Sequence, residues 1–259
     1  MKITNNIKNS IKYDLLKKPI KLAKTHDFCL SRKPKLTVVM LHGIASSSKT
    51  YDHTIKYFRS TPALKNIRFI TFDWLGNGKS YSSNHLCYDV DEEVSALQKS
   101  LEQAKIKTPL ILIGHSMGTM LVAHYASLFP ETIKEIFLVS PPIYSAADLK
   151  SPIFIKGIDS FKTAVTAYDK KLLVKRPFNA QLENIVKNPT NYKAFSGLKV
   201  KTTMIYGSED AYIAPFNVEK IAKSNKFVTA IKTNGRHGVS REKYAKIASM
   251  LEERLNETV

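Results

Sequence analysis

The sequence has only two cysteines, Cys29 and Cys87, among its 259 residues. Two cysteines are too few for a disulfide framework or a cysteine-rich zinc site. We interpret them as reduced thiols of a cytosolic protein, with a single disulfide as the alternative. The 10 glycines and 11 prolines are too few for a fibrous or low-complexity chain. Hydrophobic residues make up 43% of the chain, which excludes wholesale disorder.

Long apolar runs are also absent. The longest ones, such as Leu36–Leu41 and Leu110–Ile113, fall far short of the ~20 residues that a membrane-spanning helix requires. Lysines interrupt the N-terminal segment, and no apolar region of the signal-peptide type follows them. We therefore expect neither a transmembrane helix nor a secretory signal, and we expect a cytoplasmic location.

Acidic residues are scarce relative to basic ones. The chain has 22 Asp and Glu against 40 Lys and Arg, a net charge of +18 that is concentrated in residues 1–36 and 141–200. Such an excess is typical of a solvated basic surface or of a protein with an anionic partner. No zinc-finger spacing, RNP motif or basic region with heptads is present, so we expect no nucleic-acid partner. A membrane surface is a less favoured partner, since Ile3, Ile7, Ile11 and Leu15 recur every four residues as in a surface-binding helix.

Short apolar runs alternate with longer amphipathic segments. Strands are predicted at Leu36–Leu41, Ile67–Phe72, Leu110–Ile113, Ile133–Val139, Lys201–Tyr206 and Phe227–Lys232, and helices at Asp89–Lys105, Ser116–Phe129 and Arg241–Leu255. Continuous apolar strands separated by helices predict an α/β fold with a parallel, doubly wound sheet. The first 35 residues leave room for one or two antiparallel edge strands. Residues 141–197 do not continue this alternation of strands and helices. They predict an inserted, mostly helical cap over a core made of residues 1–140 and 198–259.

The strongest chemical signal is Gly114-His115-Ser116-Met117-Gly118, between a predicted strand and a predicted helix. A serine becomes a nucleophile when it is exposed, oriented and next to a base. A sharp strand-to-helix turn lifts the side chain of Ser116 above the sheet, and its crowded backbone needs the two glycines. The helix N-terminus favours developing negative charge there, and the Met117 amide is placed to donate to an oxyanion.

With this motif the sequence resembles the α/β-hydrolase family over nearly its whole length. His42-Gly43 matches the family's histidine-glycine loop, which implies that the next residue, Ile44, supplies a second oxyanion-hole amide. The resemblance also implies about eight strands. Asp73-Trp-Leu-Gly-Asn-Gly-Lys-Ser80 matches the D-x-x-G-x-G-x-S loop, which is mainly architectural in the family. We expect His42 to brace the oxyanion loop, and we include His42 and Gly43 among the residues near the substrate.

The family order of serine, acid and histidine selects the partners of Ser116. The family's G-x-x-D falls on Gly207 and Asp210 at the end of a predicted strand, which implies that Asp210 is the acid. Glu209 and Asp148 are the alternatives. His237 is the one histidine in a loop after the last predicted strand, which makes it the expected base.

The expected activity is that of a serine carboxylesterase acting on small or medium-chain acyl esters through Ser116, His237 and Asp210. The same mechanism serves lysophospholipases, monoacylglycerol lipases, thioesterases and carbon–carbon hydrolases, and a non-catalytic receptor on this fold is an alternative of a different class. No metal or organic cofactor is expected, because no zinc, Walker or dinucleotide motif is present. The sequence does not set the oligomeric state. Residues expected to line an apolar acyl pocket are Ile143, Tyr144, Ile153, Phe154, Phe161, Leu172 and Leu173. The basic cap could steer an anionic substrate.

Overall fold

One mixed β-sheet forms the centre of the protein in this computed structural model, which describes residues 12–13, 18–168 and 176–257. The strands are β1 (Ala23–Phe28), β2 (Leu36–Leu41), β3 (Ile67–Asp73), β4 (Leu110–His115), β5 (Glu135–Val139), β6 (Lys201–Gly207) and β7 (Val228–Thr233). Their order across the sheet is β1-β3-β2-β4-β5-β6-β7. The β1–β3 pair is antiparallel and every other pair is parallel. The described ranges thus hold seven strands where about eight were expected, and β1 is an antiparallel edge strand as predicted.

The helices follow the strands in the alternation that the sequence predicts. They are α1 (Asp52–Arg59), α2 (Val90–Gln103), α3 (Met117–Leu128), α4 (Pro152–Tyr168), α5 (Arg176–Gln181), α6 (Asn191–Ser196), α7 (Pro215–Ser224) and α8 (Arg241–Asn256). Single 3-10 turns occupy Ser48–Tyr51, Pro62–Leu64, Pro130–Thr132 and Asp148–Lys150. The side chains of Asp89 and Ser240 cap α2 and α8 by accepting backbone N–H groups, which explains why both helices begin close to their predicted residues.

The central strands are buried on both faces because helices cover both sides of the sheet. In β2, Val38 and Met40 belong to an apolar layer that also contains residues of α1 and α8. Val39 and Leu41 face the opposite layer, which contains residues of α2, α3 and α7. Continuous apolar sequence in β2 follows from this double coverage, since neither face of the strand meets water.

The segment 141–197 is mostly helical over its described part. It contributes α4, α5 and α6, and α5 continues into a π-helical turn at Leu182–Val186. One anchor to the core is the buried Gln181, whose Nε2 donates to Glu93 Oε1 at 2.9 Å and to the Leu75 carbonyl at 3.0 Å. The assignment of this segment as a separate cap remains a prediction. Leu172, Leu173 and the N-terminal positions Ile3, Ile7, Ile11 and Leu15 lie outside the described residues.

The loop after β3 has a structural role. Asp73 is buried, and its carboxylate accepts the Ser48 amide at 2.7 Å and the Lys79 amide at 2.8 Å. Gly78 has φ +51°, and a Cβ there would lie 2.1 Å from Asp73 Oδ2. Only glycine permits this close approach, which brings the loop back against Asp73 at the carboxyl end of β3.

No helix within the described ranges is long and apolar enough to cross a bilayer.

Candidate active site

Ser116 stands at the carboxyl end of β4, in a strained turn between that strand and α3. Its backbone has φ 52° and ψ −122°, a conformation that non-glycine residues rarely adopt. The flanking glycines permit the turn. A Cβ on Gly114 would lie 2.7 Å from the Gly118 carbonyl, and a Cβ on Gly118 would lie 2.6 Å from the carbonyls of Leu41 and His42. The predicted elbow is therefore present, and any larger residue at either glycine would displace it.

His237 and Asp210 complete a hydrogen-bonded chain that begins at Ser116. His237 Nε2 lies 2.8 Å from Ser116 Oγ, and its Nδ1 lies 2.8 Å from Asp210 Oδ1 and 3.0 Å from Oδ2. The three residues follow β4, β7 and β6 at the same edge of the parallel sheet. The side chain of Asp210 is fully buried and that of His237 is 19% exposed. The carboxylate is thus shielded while the serine and imidazole face a cavity.

The Asp210 carboxyl is held in its ionised form. Burial by itself would raise its pKa, but hydrogen bonds from His237, the Tyr212 amide and Ser140, together with the charge of His237, lower the pKa below its ordinary value. An ionised carboxylate accepts hydrogen bonds only. His237 therefore donates its Nδ1–H to Asp210, and its Nε2 accepts the hydroxyl proton of Ser116.

The two alternative acids lie elsewhere. The Glu209 side chain is 66% exposed and lies 3.9 Å from Arg236. Asp148 Oδ2 accepts from the amide and hydroxyl of Ser145 and from Asn217 Nδ2. Only Asp210 of these three carboxylates contacts His237 among the described residues.

Two backbone amides border the serine. A Cβ on Gly43 would lie 3.0 Å from Ser116 Cβ, so the loop after β2 runs directly beside the nucleophile position. Ile44 and Met117 line the same cavity as Ser116 and His237. Neither amide donates a hydrogen bond within the described part of the chain. Both are therefore available to an oxygen bound between them.

His42 sets the orientation of that loop. It is fully buried, and burial lowers its pKa, so the ring is neutral. The Trp74 amide donates to its Nε2 at 3.0 Å, which leaves the ring proton on Nδ1 for the Gly43 carbonyl at 2.7 Å. The carbonyl of Gly43 and the amide of Ile44 belong to one planar peptide and point in opposite directions. Fixing the carbonyl therefore fixes the direction of the Ile44 N–H.

Comparison with known proteins identifies the fold. Residues 37–156 match the sequence profile of the family described as alpha/beta hydrolase fold. The chain has the α/β-hydrolase fold. A monoacylglycerol lipase from Paleococcus ferrophilus superposes with a TM-score of 0.64 at 21% identity, over 93% of this chain and 100% of the lipase. At that identity the superposition shows the fold alone.

Relatives by sequence are named as enzymes of lipids and esters. A probable lysophospholipase of Arabidopsis thaliana, BODYGUARD 5, is 31% identical over 58% of this chain. The matched region spans only 33% of that relative's length. A putative esterase/lipase of Mycoplasma pneumoniae is 22% identical over 73% of this chain and 77% of its own. The activity of this chain has to be argued from its own site.

The cavity over Ser116 is mostly apolar and has a volume of about 380 Å³. The first and second thirds of α4 supply Ile153, Phe154, Gly157, Ile158 and Phe161 to its wall. Further wall residues are Ile44, Pro142, Tyr144, Leu182, Val186 and Ile213. The described wall includes no lysine or arginine, and Asp148 is its one acidic side chain. The cavity thus suits an uncharged, hydrophobic group next to the nucleophile position.

The structure places the expected substrate contacts in two different environments. Tyr144 and Phe154 line the cavity as expected, and their rings meet edge to face at 4.7 Å. His42, Gly43 and Ile143 are absent from the described wall, which corrects the expectation for them. His42 and Ile143 are fully buried, and Gly43 lies beneath the serine. These three residues support the loops of the site instead of lining it.

Sequence reasoning missed three residues near the site. Tyr212 follows Asp210, and its ring meets that of His237 edge to face at 5.3 Å. Ser140 lowers the pKa of Asp210, and the buried Lys243 donates to the carbonyls of Arg236 and Gly238 on either side of His237. The positive φ of Ser140 and the burial of Lys243 have no local sequence signal, since each depends on contacts with distant strands.

A metal site is not apparent in the described ranges: they contain no group of three or more His, Cys, Asp or Glu side chains arranged to hold an ion.

Proposed function

We propose that this protein is a serine hydrolase that cleaves carboxylic esters with small or medium-length apolar acyl chains. The observation that carries the proposal is the continuous hydrogen-bonded chain from Ser116 Oγ through His237 to the buried Asp210, opening on an apolar cavity. The proposed roles are nucleophile for Ser116, general base and acid for His237, and orienting carboxylate for Asp210.

In the first step, Ser116 Oγ attacks the acyl carbon while its proton moves to His237 Nε2. The new C–O bond places negative charge on the former carbonyl oxygen, which the amides of Ile44 and Met117 would receive. Met117 begins α3, so the positive end of that helix also favours the charge. Asp210 stabilises the imidazolium that forms on His237.

The intermediate then collapses into an acyl-enzyme. The bond to the leaving alkoxide breaks, and His237 Nε2 returns the proton to that oxygen, releasing a neutral alcohol. Water enters, gives a proton to His237 Nε2 and attacks the acyl carbon. The Ser116–acyl bond then breaks, Ser116 recovers its proton, and the carboxylic acid leaves. No metal or organic cofactor takes part in this proposed sequence.

The cavity wall supports an uncharged substrate over an anionic one. The described wall has no lysine or arginine to pair with a phosphate. Despite some burial, hydrogen bonds from Ser145 and Asn217 keep the pKa of Asp148 below its ordinary value. An ionised carboxylate at the wall repels an anion in a weakly polar cavity. Among the named relatives and neighbours, a neutral glycerol ester, as in the monoacylglycerol lipase, therefore fits better than an anionic lysophospholipid.

Hydrolysis of p-nitrophenyl acetate, butyrate and octanoate by the wild-type protein and by Ser116→Ala tests the proposal. The matched control is Ser127→Ala, an exposed serine on the same helix that does not line the cavity. Wild-type protein and the control should hydrolyse the esters equally, and Ser116→Ala should lose nearly all turnover. Equal turnover in Ser116→Ala would refute the proposed nucleophile. Tight ligand binding without Ser116-dependent turnover would favour the receptor class.

A further inference from the structure

Lys243 is a lysine with no exposure to solvent, in the first turn of α8. Its Nζ donates to Ser140 Oγ at 2.8 Å, to the Arg236 carbonyl at 2.7 Å and to the Gly238 carbonyl at 2.9 Å. A buried ammonium is costly unless every N–H finds an acceptor, and here all three do. Nothing in the mechanism proposed above uses this side chain.

The two carbonyls that Lys243 holds belong to the residues on either side of His237. The carbonyl of His237 itself accepts a hydrogen bond from His115 Nε2 at 2.9 Å. Burial and the nearby charge of His237 lower the pKa of His115 to about 3, so this neutral ring acts as a fixed donor. Three consecutive carbonyls of the loop therefore accept hydrogen bonds, two from the Lys243 ammonium and one from the His115 imidazole.

Ser140 connects the same ammonium to the acid of the site. It follows β5 in a left-handed conformation with φ 52°, and its amide donates to the Ile205 carbonyl at 2.7 Å. Its hydroxyl oxygen accepts from Lys243 Nζ at 2.8 Å, and the same hydroxyl lowers the pKa of the Asp210 carboxyl. Ser140 therefore lies between the ammonium and the acid of the site.

Lys243 as an ammonium has one acceptor for each of its three N–H groups, namely the Arg236 carbonyl, the Gly238 carbonyl and the Ser140 oxygen. Burial lowers the pKa of Lys243, while the charges of Asp210 and Glu242 oppose that effect. The titratable groups that face the ammonium are Asp210 after β6, His115 at the end of β4 and Glu242 on its own helix.

We propose that Lys243 is a positioning residue of the site: its ammonium fixes the loop of His237 and, through Ser140, the carboxylate of Asp210. The inference rests on the proposed function of Ser116, His237 and Asp210. Its consequence is that one buried cation holds both partners of the nucleophile in register, although it touches neither the substrate nor the reacting atoms.

The test uses Lys243→Met, Lys243→Arg and Ser140→Ala in the full chain. The matched control is Lys246→Met, the same change at an exposed position of α8. We expect Lys243→Met to lower kcat for p-nitrophenyl butyrate by about 10- to 100-fold with little change in KM, because the imidazole is misplaced while the cavity is intact. Lys243→Arg should recover part of that loss, Ser140→Ala should lie between wild type and Lys243→Met, and Lys246→Met should match wild type.

The pH profile separates positioning from general structural support. Loss of a buried positive charge makes protonation of the site easier, so the acidic limb of kcat/KM should move to higher pH in Lys243→Met and stay in place in Lys243→Arg. A folded Lys243→Met with wild-type kcat and an unmoved limb would overturn the inference. If Lys243→Met does not fold, Ser140→Ala decides the question through kcat, because it removes one acceptor of the ammonium, and a wild-type kcat in that variant would overturn the inference.

A readout independent of turnover distinguishes failure of this inference from failure of the proposed function. The His237 Nδ1–H that is shared with Asp210 should give a downfield proton resonance in wild-type protein and in Lys246→Met. Lys243→Met should broaden or shift it. If wild-type protein shows no Ser116-dependent turnover, the proposed function fails, and this resonance still tests Lys243. An identical resonance in folded Lys243→Met would overturn the inference.

Discussion

The ring of His42 donates its Nδ1–H to the carbonyl of the next residue, Gly43, at 2.7 Å. The bond holds the peptide that carries the Ile44 amide, and the Trp74 amide holds the other side of the ring. A residue that appears in sequence as a candidate substrate contact thus acts one peptide away from the cavity, by aiming a backbone donor.

We expect His42→Phe to lower kcat with little change in KM. Phenylalanine fills the buried volume but does not hold the Gly43 carbonyl, so the Ile44 N–H loses its direction. Since removing an oxyanion donor outright costs about 10²–10³-fold in kcat, the loss here should reach at most that range. His124→Phe serves as the control, because His124 bonds Asn191 away from the cavity. Steady-state kinetics that show an unchanged kcat in folded His42→Phe would contradict the role.

Asp210→Asn should retain the fold and lose most activity. The amide of asparagine can donate to His237 Nδ1 and thereby hold the imidazole in the wrong tautomer, and loss of this kind reaches about 10⁴-fold in serine proteases. Glu209→Gln is the matched control, because that exposed carboxylate does not touch His237. Kinetic measurement of both variants on one ester decides between the two carboxylates, and a larger loss in Glu209→Gln would contradict the assignment.

Glu93, which contacts Gln181 of the segment 141–197, should make the stability of the protein depend on pH. Burial raises its pKa to about 8 from an ordinary value of 4.5, although the Leu75 amide and Gln181 Nε2 both donate to it. The folded chain therefore keeps a proton that the unfolded chain releases between these values. As pH rises through that window, the free energy of unfolding should fall by up to about 1.4 kcal/mol per pH unit.

Glu93→Gln should remove this pH dependence, because glutamine does not titrate. Urea unfolding at several pH values between 5 and 8 measures how the free energy of unfolding changes with pH. Each variant is compared with itself across the pH range. Glu102→Gln, on an exposed part of the same helix, should keep the wild-type slope. Parallel slopes in wild type and Glu93→Gln would show that Glu93 is ionised in the folded protein.

Phe161→Ala should shift the acyl preference toward longer chains. Phe161 lines the cavity and packs against Tyr212 edge to face at 5.7 Å, so its loss enlarges the cavity. We expect the ratio of kcat/KM for octanoate over butyrate to rise by about 3- to 10-fold, at about 0.8 kcal/mol for each methylene that gains an apolar contact. Ile155→Ala, an exposed position of the same helix outside this cavity, is the control. An unchanged ratio in Phe161→Ala would place the acyl chain elsewhere.

The sequence predicts the parts of this structure that depend on local pattern. The continuous apolar run of β2 and the helical spacing of apolar residues in α2 indicate, within a few residues of sequence, that these elements are buried. The turn at Ser116 is recognisable because it requires glycines at fixed positions. The short helices α1 and α7 are not predicted, because 8 and 10 residues give little periodicity to detect.

The residues that support the site cannot be predicted from local sequence pattern in this way. Lys243 lies in the charged sequence Arg241-Glu242-Lys243, which is typical of an exposed first turn of a helix. Its burial arises because the loop of His237 folds back over α8, a contact between elements that no short window of sequence contains. For His42, the family resemblance implies the bracing role, but not its partner Trp74, which lies 32 residues away. Long-range hydrogen bonds of this kind need the fold before they can be recognised.

Reaction with a fluorophosphonate ester, followed by peptide mass analysis, tests most directly whether Ser116 is an activated nucleophile. The account predicts a single covalent adduct on the peptide that contains Ser116, formed rapidly in wild type and slowly in His237→Ala, because the imidazole removes the hydroxyl proton. Ser116→Ala should remain unlabelled. A wild-type protein that stays unmodified, or that carries the adduct on another residue, would contradict the account.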